Sequence, residues 1–164
     1  ENTIKRIMEM EEKYYDKMYH IKMYEKYQLR FCIVVPSYNN IKSKLYLRNL
    51  DSMFMQDYSN YHIIYIDDHS PDKTGEFVKE YVKEKGIPEE KIKVIINNVN
   101  KKAMQNIYEK IHEECPNGEI VGLVDGDDSL NGRQVLKLYN ALFHHKKAAL
   151  IYSNFLKITL NLRT

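Results

Sequence analysis

From residue 31 onward the chain alternates short β-branched runs with helical patterns, and that alternation restricts the fold more than any other feature. The runs are "FCIVV", "YHIIYI", "KIKVII", "EIVGLV" and "AALIYSNF". Helix-forming stretches lie between them at about 44–56, 74–85, 101–114 and 133–145, the second closed by Gly86. Strands separated by helices pair in parallel, because each crossover carries the chain back to the same edge of the sheet. The expected architecture is α/β: a Rossmann-like, mostly parallel sheet with helices on both faces, over residues 31–164. Residues 1–28 hold neither Gly nor Pro and are rich in Glu, Lys, Met and Tyr, which favours a long N-terminal helix. Its stripe of Ile4, Ile7, Tyr14, Met18 and Ile21 is broken by Glu11 and Glu25. That favours a helix packed on the domain, or a stalk, over a coiled coil; a partner-binding helix is the alternative.

Open α/β sheets bind ligands outside the carboxyl ends of their strands, so the residues that end each run matter most. The first run ends in Pro36, Ser37, Tyr38 and Asn39, and the second in Asp67, Asp68, His69 and Ser70. The third ends in Asn97 and Asn98, and the fourth in Asp125, Gly126, Asp127 and Asp128. With strands ~4.8 Å apart, these clusters would line a groove on the order of 15 Å, the length of a nucleotide. Turn chemistry accounts for Asn, Asp or Ser after any strand, but does not call for acidic clusters after two of four. Crowded carboxylates raise one another's pKa unless a cation neutralises them, and oxygen-only ligands select Mg²⁺, Mn²⁺ or Ca²⁺ over zinc. Asp125, Asp127 and Asp128 are therefore the candidate metal ligands, with a solvated turn as the structural alternative. A cation there, bound to a diphosphate, would offset the charge that grows on a departing nucleotide.

Other chemistries fit less well. "DDSLNG" opens like a calcium loop, but Leu138 stands where a bidentate Glu is needed. A phosphoacceptor receiver would place its acidic pair after the first strand, which here ends in "PSYN". His69 reads as a loop residue, and His144 and His145 as the close of a helix. Neither a nucleophile elbow nor a Gly-rich phosphate loop is present. Twenty-five basic against 23 acidic side chains leave a net charge of +2, no footprint for nucleic acid. Every apolar run is far shorter than the ~20 residues of a membrane span. A soluble domain is expected, with cytoplasmic and Golgi-associated locations both compatible. Cys32 and Cys115 lack a C-x-x-C spacing and are expected to be plain thiols.

"FCIVVPSYNN", "SMFMQDYSNYHIIYIDDHSPDKT", "NNVNKKAMQNI" and "GEIVGLVDGDDSL" resemble, in this order, the successive blocks of family 2 glycosyltransferases of the GT-A fold. The resemblance covers about residues 31–156. It implies inverting, metal-dependent transfer of a sugar from a nucleotide-diphosphate donor, a UDP-sugar, with Mn²⁺ or Mg²⁺ as cofactor and a glycan, lipid or protein as acceptor. By the same resemblance, the turn of Pro36, Ser37, Tyr38 and Asn39 passes under the base and ribose, with Tyr38 against the base. Asp67 accepts a hydrogen bond from the uracil ring nitrogen while Asp68 supports the turn. Asp125 lies towards the ribose, Asp127 ligates the metal, and Asp128 is a further partner. Gln105 stands where the family commonly shows Arg, leaving Lys102 as the nearest cation. The resemblance also implies an acceptor-binding half carrying a general-base aspartate. The chain offers no counterpart and reads as a C-terminally truncated nucleotide-binding half. A non-catalytic nucleotide-sugar-binding or scaffold domain that recruits a partner through its N-terminal helix is the alternative.

Overall fold

Strand β1 (Phe31–Ser37) is apolar at successive positions because both of its faces are covered, and all seven of its residues are buried. In the computed structural model, which describes residues 27–146 and 149–151, it is flanked by β2 (Tyr61–Asp67) and β4 (Ile120–Leu123). Beyond β2 lies β3 (Ile92–Ile96), giving the order β3-β2-β1-β4 with every pairing parallel. Phe31 pairs with Tyr61 on one side and Ile120 on the other, and at the far end Ser37 pairs with Asp67 and Asp67 with Ile96. The crossover helices are α1 (Leu45–Phe54), α2 (Thr74–Glu84), α3 (Ala103–Glu114) and α4 (Val135–Lys146), close to the expected bounds.

Strand periodicity of two divides the core into two unequal layers. Phe31, Ile33 and Val35 join Tyr61, Ile63 and Tyr65 on one face, covered by Tyr46, Leu50 and Met53 of α1, Val78 of α2 and Leu136 of α4. The Phe31 ring meets Tyr58 and Phe143 edge to face, at centroid distances of 5.5 and 6.5 Å. Each such large side chain removed from water contributes roughly 1.5–3 kcal/mol. On the other face Cys32, Val34, Ile64 and Ile66 pack with Ile95 and, from the α3 side, Ile111 and Cys115. Helices therefore cover both faces, as the alternation implies.

The expectation of plain thiols is overturned: Cys32 and Cys115 form a disulfide across 83 positions, with Cα atoms 5.7 Å apart. Local spacing detects only near neighbours in sequence. Here Cys115 is the C-cap of α3, and the crossover lays it over the second residue of β1. Of the helix expected over residues 1–28, positions 1–26 lie outside the described residues, and Tyr27 and Gln28 are not helical. Gln28 and Leu29 are instead stitched to the domain: the Tyr58 hydroxyl donates to the Leu29 carbonyl, and the Leu29 N–H to Asn140 Oδ1. The expected final strand also lies outside the described residues, except 149–151, which are not strand.

Candidate functional site

Four strands end side by side, so residues far apart in sequence share one rim. Backbone hydrogen bonds carry the pairing beyond the strands. The Asp68 N–H donates to the Ser37 carbonyl, Asn97 N–H to Asp67, and Gly126 N–H to Pro36, each at 2.9 Å. Across the rim the order is Asn97, Asp67 with Asp68, Ser37, then Asp125 with Gly126. The acidic turns after β2 and β4 thus flank the end of β1, and the sequence-derived candidates converge.

Ser37 is the joint of this rim. It is buried, and its hydroxyl oxygen accepts from the Tyr65 hydroxyl at 2.8 Å and from Asn40 Nδ2 at 2.9 Å. Gly126 passes so close that a Cβ there would sit 2.6 Å from both Ser37 Cβ and Oγ. Only a residue without a side chain lets the β4 turn lie against β1. Ser37 therefore shapes the floor, while the next residue, Tyr38, is exposed. Asn39 is also exposed, with φ +58°, and its N–H donates to the Ser70 hydroxyl at 3.0 Å.

The two acids after β2 have opposite environments. Asp67 is 1% exposed, and among the described residues its carboxylate accepts from the Ser70 hydroxyl and N–H. Burial raises its pKa above the ordinary carboxylate value, and those hydrogen bonds offset the rise only in part. Gly75 lets α2 start against it, since a Cβ there would be 2.8 Å from Asp67 Cβ and 2.7 Å from Ile96. Asp68 accepts from the Lys101 and Lys102 N–H groups, both at 2.8 Å, and from Asn97 Nδ2 at 2.9 Å. Burial alone would raise this carboxyl too, but the hydrogen bonds and the nearby Asn106 amide outweigh it and hold the pKa below the ordinary value. The Asn106 nitrogen is close enough to act on the charge without meeting full hydrogen-bond geometry. Asp68 thus organises the loop into α3, and Lys102, at the N-cap of that helix, projects into solvent.

Asp125, Asp127 and Asp128 are exposed. Desolvation first, then the charges of Asp128 and Asp127, raise the pKa of Asp125. Their turn is held from below by a residue the sequence pattern does not single out. Asn49 of α1, fully buried, donates through Nδ2 to the Asp125 and Asp128 carbonyls at 3.0 and 2.9 Å. Its only sequence signal is a polar residue amid the buried positions of "LYLRNLDSMF". Ser70, Asp72 and Thr74 were likewise not singled out as a set. Thr74 Oγ1 accepts from the Asn40 N–H, and Asp72 from the Ile41 and Thr74 N–H groups, each at 3.0 Å. They lock the loop after β1 to the loop after β2.

The three rim aspartates do not close into a cage: their oxygens do not all lie within 4.8 Å of one another. Exposed, mutually repelling carboxylates that leave coordination positions open suit a hard cation whose remaining ligands come from phosphate. The starts of α2 and α3 at the same edge add N–H groups and partial positive charge suited to an anion.

The family model for glycosyl transferase family 2 matches residues 32–161. No curated protein matches the chain. Among solved structures, S. aureus TarS 1-349 in complex with UDP-GlcNAc is similar at 26% identity and a TM-score of 0.59, covering 71% of this chain and 31% of that one. The mannosyltransferase PcManGT from Pyrobaculum calidifontis, in complex with GDP-Man and Mn²⁺, is similar at 21% identity and a TM-score of 0.60, covering 76% and 39%. The chain therefore spans about a third of the length of these proteins.

Proposed function

We propose, from the premise that this chain belongs to glycosyl transferase family 2, that its rim holds a UDP-sugar for metal-dependent, inverting transfer of the sugar to an acceptor. The observation that carries the reading is the convergence of the turns after β2 and β4 on either side of Ser37. One turn offers a buried single acceptor and the other exposed paired acids. TarS, at 26% identity, is a UDP-GlcNAc complex, which favours uracil over guanine.

Asp67 suits the base end: a buried carboxylate at the end of β2 accepts a ring N–H and discriminates against bases that offer no donor there. Tyr38 stacks on the base, and the backbone of Pro36 and Asn39 lies beneath the ribose. Asp68 keeps the loop into α3 in place, so that Lys102 and the first N–H groups of α3 face the diphosphate. Asp127 is the principal ligand for Mn²⁺ or Mg²⁺, with Asp128 beside it and Asp125 towards the ribose. When bound, the metal supplies positive charge to the nucleoside diphosphate as it leaves. Inversion further requires a base for the acceptor hydroxyl, and none of these rim acids is assigned that role.

Titration with UDP tests the reading. Mn²⁺ is expected to tighten binding by roughly tenfold or more, an effect lost in Asp127→Ala with the fold intact. Equal affinity with and without metal, or an Asp127→Ala variant that keeps the full effect, would overturn it. Binding is also expected to weaken on acidification before ordinary carboxylates titrate, because Asp67 takes up its proton at a raised pH.

A further inference from the structure

At the opposite edge of the sheet a second cluster of metal-ligating side chains has no part in this reading. Cys32 and His62 are paired neighbours on β1 and β2, and Glu119 precedes β4. The Cys32 sulfur, a His62 ring nitrogen and a Glu119 carboxylate oxygen all lie within 4.8 Å of one another. His62 Nε2 donates to Glu119 Oε2 at 2.7 Å, and Arg30 Nε to Glu119 Oε1 at 2.9 Å. The Cys115 sulfur lies outside this 4.8 Å set and reaches it through its bond to Cys32.

We propose that this cluster is a redox-gated Zn²⁺ site: metal-free while Cys32 and Cys115 are joined, and ligated by Cys32, Cys115, His62 and Glu119 once the bond is reduced. Two thiolates, an imidazole and a carboxylate form a four-donor set suited to tetrahedral zinc, and soft sulfur ligands separate it from the hard, oxygen-only rim. Donor atoms around zinc at ~2.0–2.3 Å stand roughly 3–4 Å apart, so three donors already within 4.8 Å of one another need only local shifts, with His62 and Glu119 parting from their 2.7 Å contact. The charges also suit the ion. Two thiolates and a carboxylate exceed Zn²⁺ by one negative charge, and the Arg30 guanidinium on Glu119 compensates. His62 and Glu119 retain slight side-chain exposure, 13% and 6%, beside the largely exposed Arg30, which provides an entry route past the fully buried Cys32.

The redox step balances with a dithiol reductant. One of its thiolates attacks a protein sulfur, the Cys32–Cys115 bond breaks, the reductant closes into its own disulfide, and two thiols remain. Zinc then displaces both thiol protons, and the neutral imidazole releases Glu119, shifts its proton from Nε2 to Nδ1 and binds through Nε2. Oxidation and metal occupancy exclude one another because both use the same sulfurs.

Co²⁺ serves as the spectroscopic probe on the full chain. The reduced protein is expected to take up one equivalent with intense thiolate-to-cobalt absorption that Zn²⁺ abolishes, while the diamide-oxidised protein shows none. His62→Gln, at a partly exposed position, is expected to weaken uptake by more than roughly tenfold, the loss that even outer-shell partners cause. Cys115→Ser is expected to lower the absorption, and Asp127→Ala to leave it unchanged, which separates this site from the rim. The proposal is overturned if the folded, reduced protein shows no thiolate absorption, if His62→Gln binds as tightly as the parent, or if oxidant fails to pair the two thiols.

Discussion

The two edges of the sheet meet the same backbone demand with different residues. Among the described residues, every non-glycine with positive φ lies in a connection leaving the carboxyl ends of β1 to β3: Asn39, Lys44, His69, Lys73 and Lys102, with φ from 53° to 69°. At the other edge, Gly86 and Gly118 adopt such angles without a side chain to clash, and on the rim side Gly132 does so only in the connection after β4. A left-handed residue bearing a Cβ costs roughly 1–2 kcal/mol. The rim edge thus tolerates conformational strain and crowded carboxylates together, whereas the far edge has relaxed turns. Strain concentrated where a ligand sits is characteristic of functional sites.

The contrast breaks most visibly at Asp68. Removing its carboxylate strands the Lys101 and Lys102 N–H groups, so Asp68→Ala is expected to cost about 2–4 kcal/mol in urea unfolding. Glu89→Ala, in an exposed far-edge turn, should change stability by less than about 0.5 kcal/mol. Gly126→Ala is next, at roughly 1–3 kcal/mol, because its Cβ collides with Ser37; a measurable loss of Mn²⁺-dependent UDP affinity should accompany it. Smaller, and of opposite sign at the two edges, are Lys73→Gly, expected to gain about 1 kcal/mol, and Gly86→Ala, expected to lose about as much. Equal responses at both edges would erase the distinction.

The gentlest probe is pH. Asp68 is held below its unfolded value near 4, so its stabilisation is complete above that pH and is lost as pH falls through the lower folded value. Asp67 is raised, so its ionised form costs stability at neutral pH, and the cost disappears as pH falls through the raised value. Thermal melts between about pH 3 and pH 7 should show Asp67→Asn more stable than the parent at the neutral end and level with it at the acid end. Asp68→Asn should be less stable at neutral pH and lose the parent's acid sensitivity.

Most of the sheet and the position of the rim were legible, because each apolar run ends abruptly in polar residues and alternation with helices leaves one parallel solution. The difference between Asp67 and Asp68 was not. Adjacent identical letters point to opposite sides of an extended chain, and only the fold decides that one meets Ser70 and the other the loop into α3. Asn49 reaches the Asp125 carbonyl across 76 positions, and the cysteines meet across 83. Such contacts come from crossover geometry, which no local pattern encodes.

The Tyr65 hydroxyl touches Ser37, and Ser37 lies against Gly126, so the hydrophobic centre and the proposed donor groove share a wall one side chain thick. Engineering this protein for heat tolerance by repacking around Tyr65 would therefore retune what the groove accepts. Conversely, variants selected for a new donor should carry compensating changes deep in the interior.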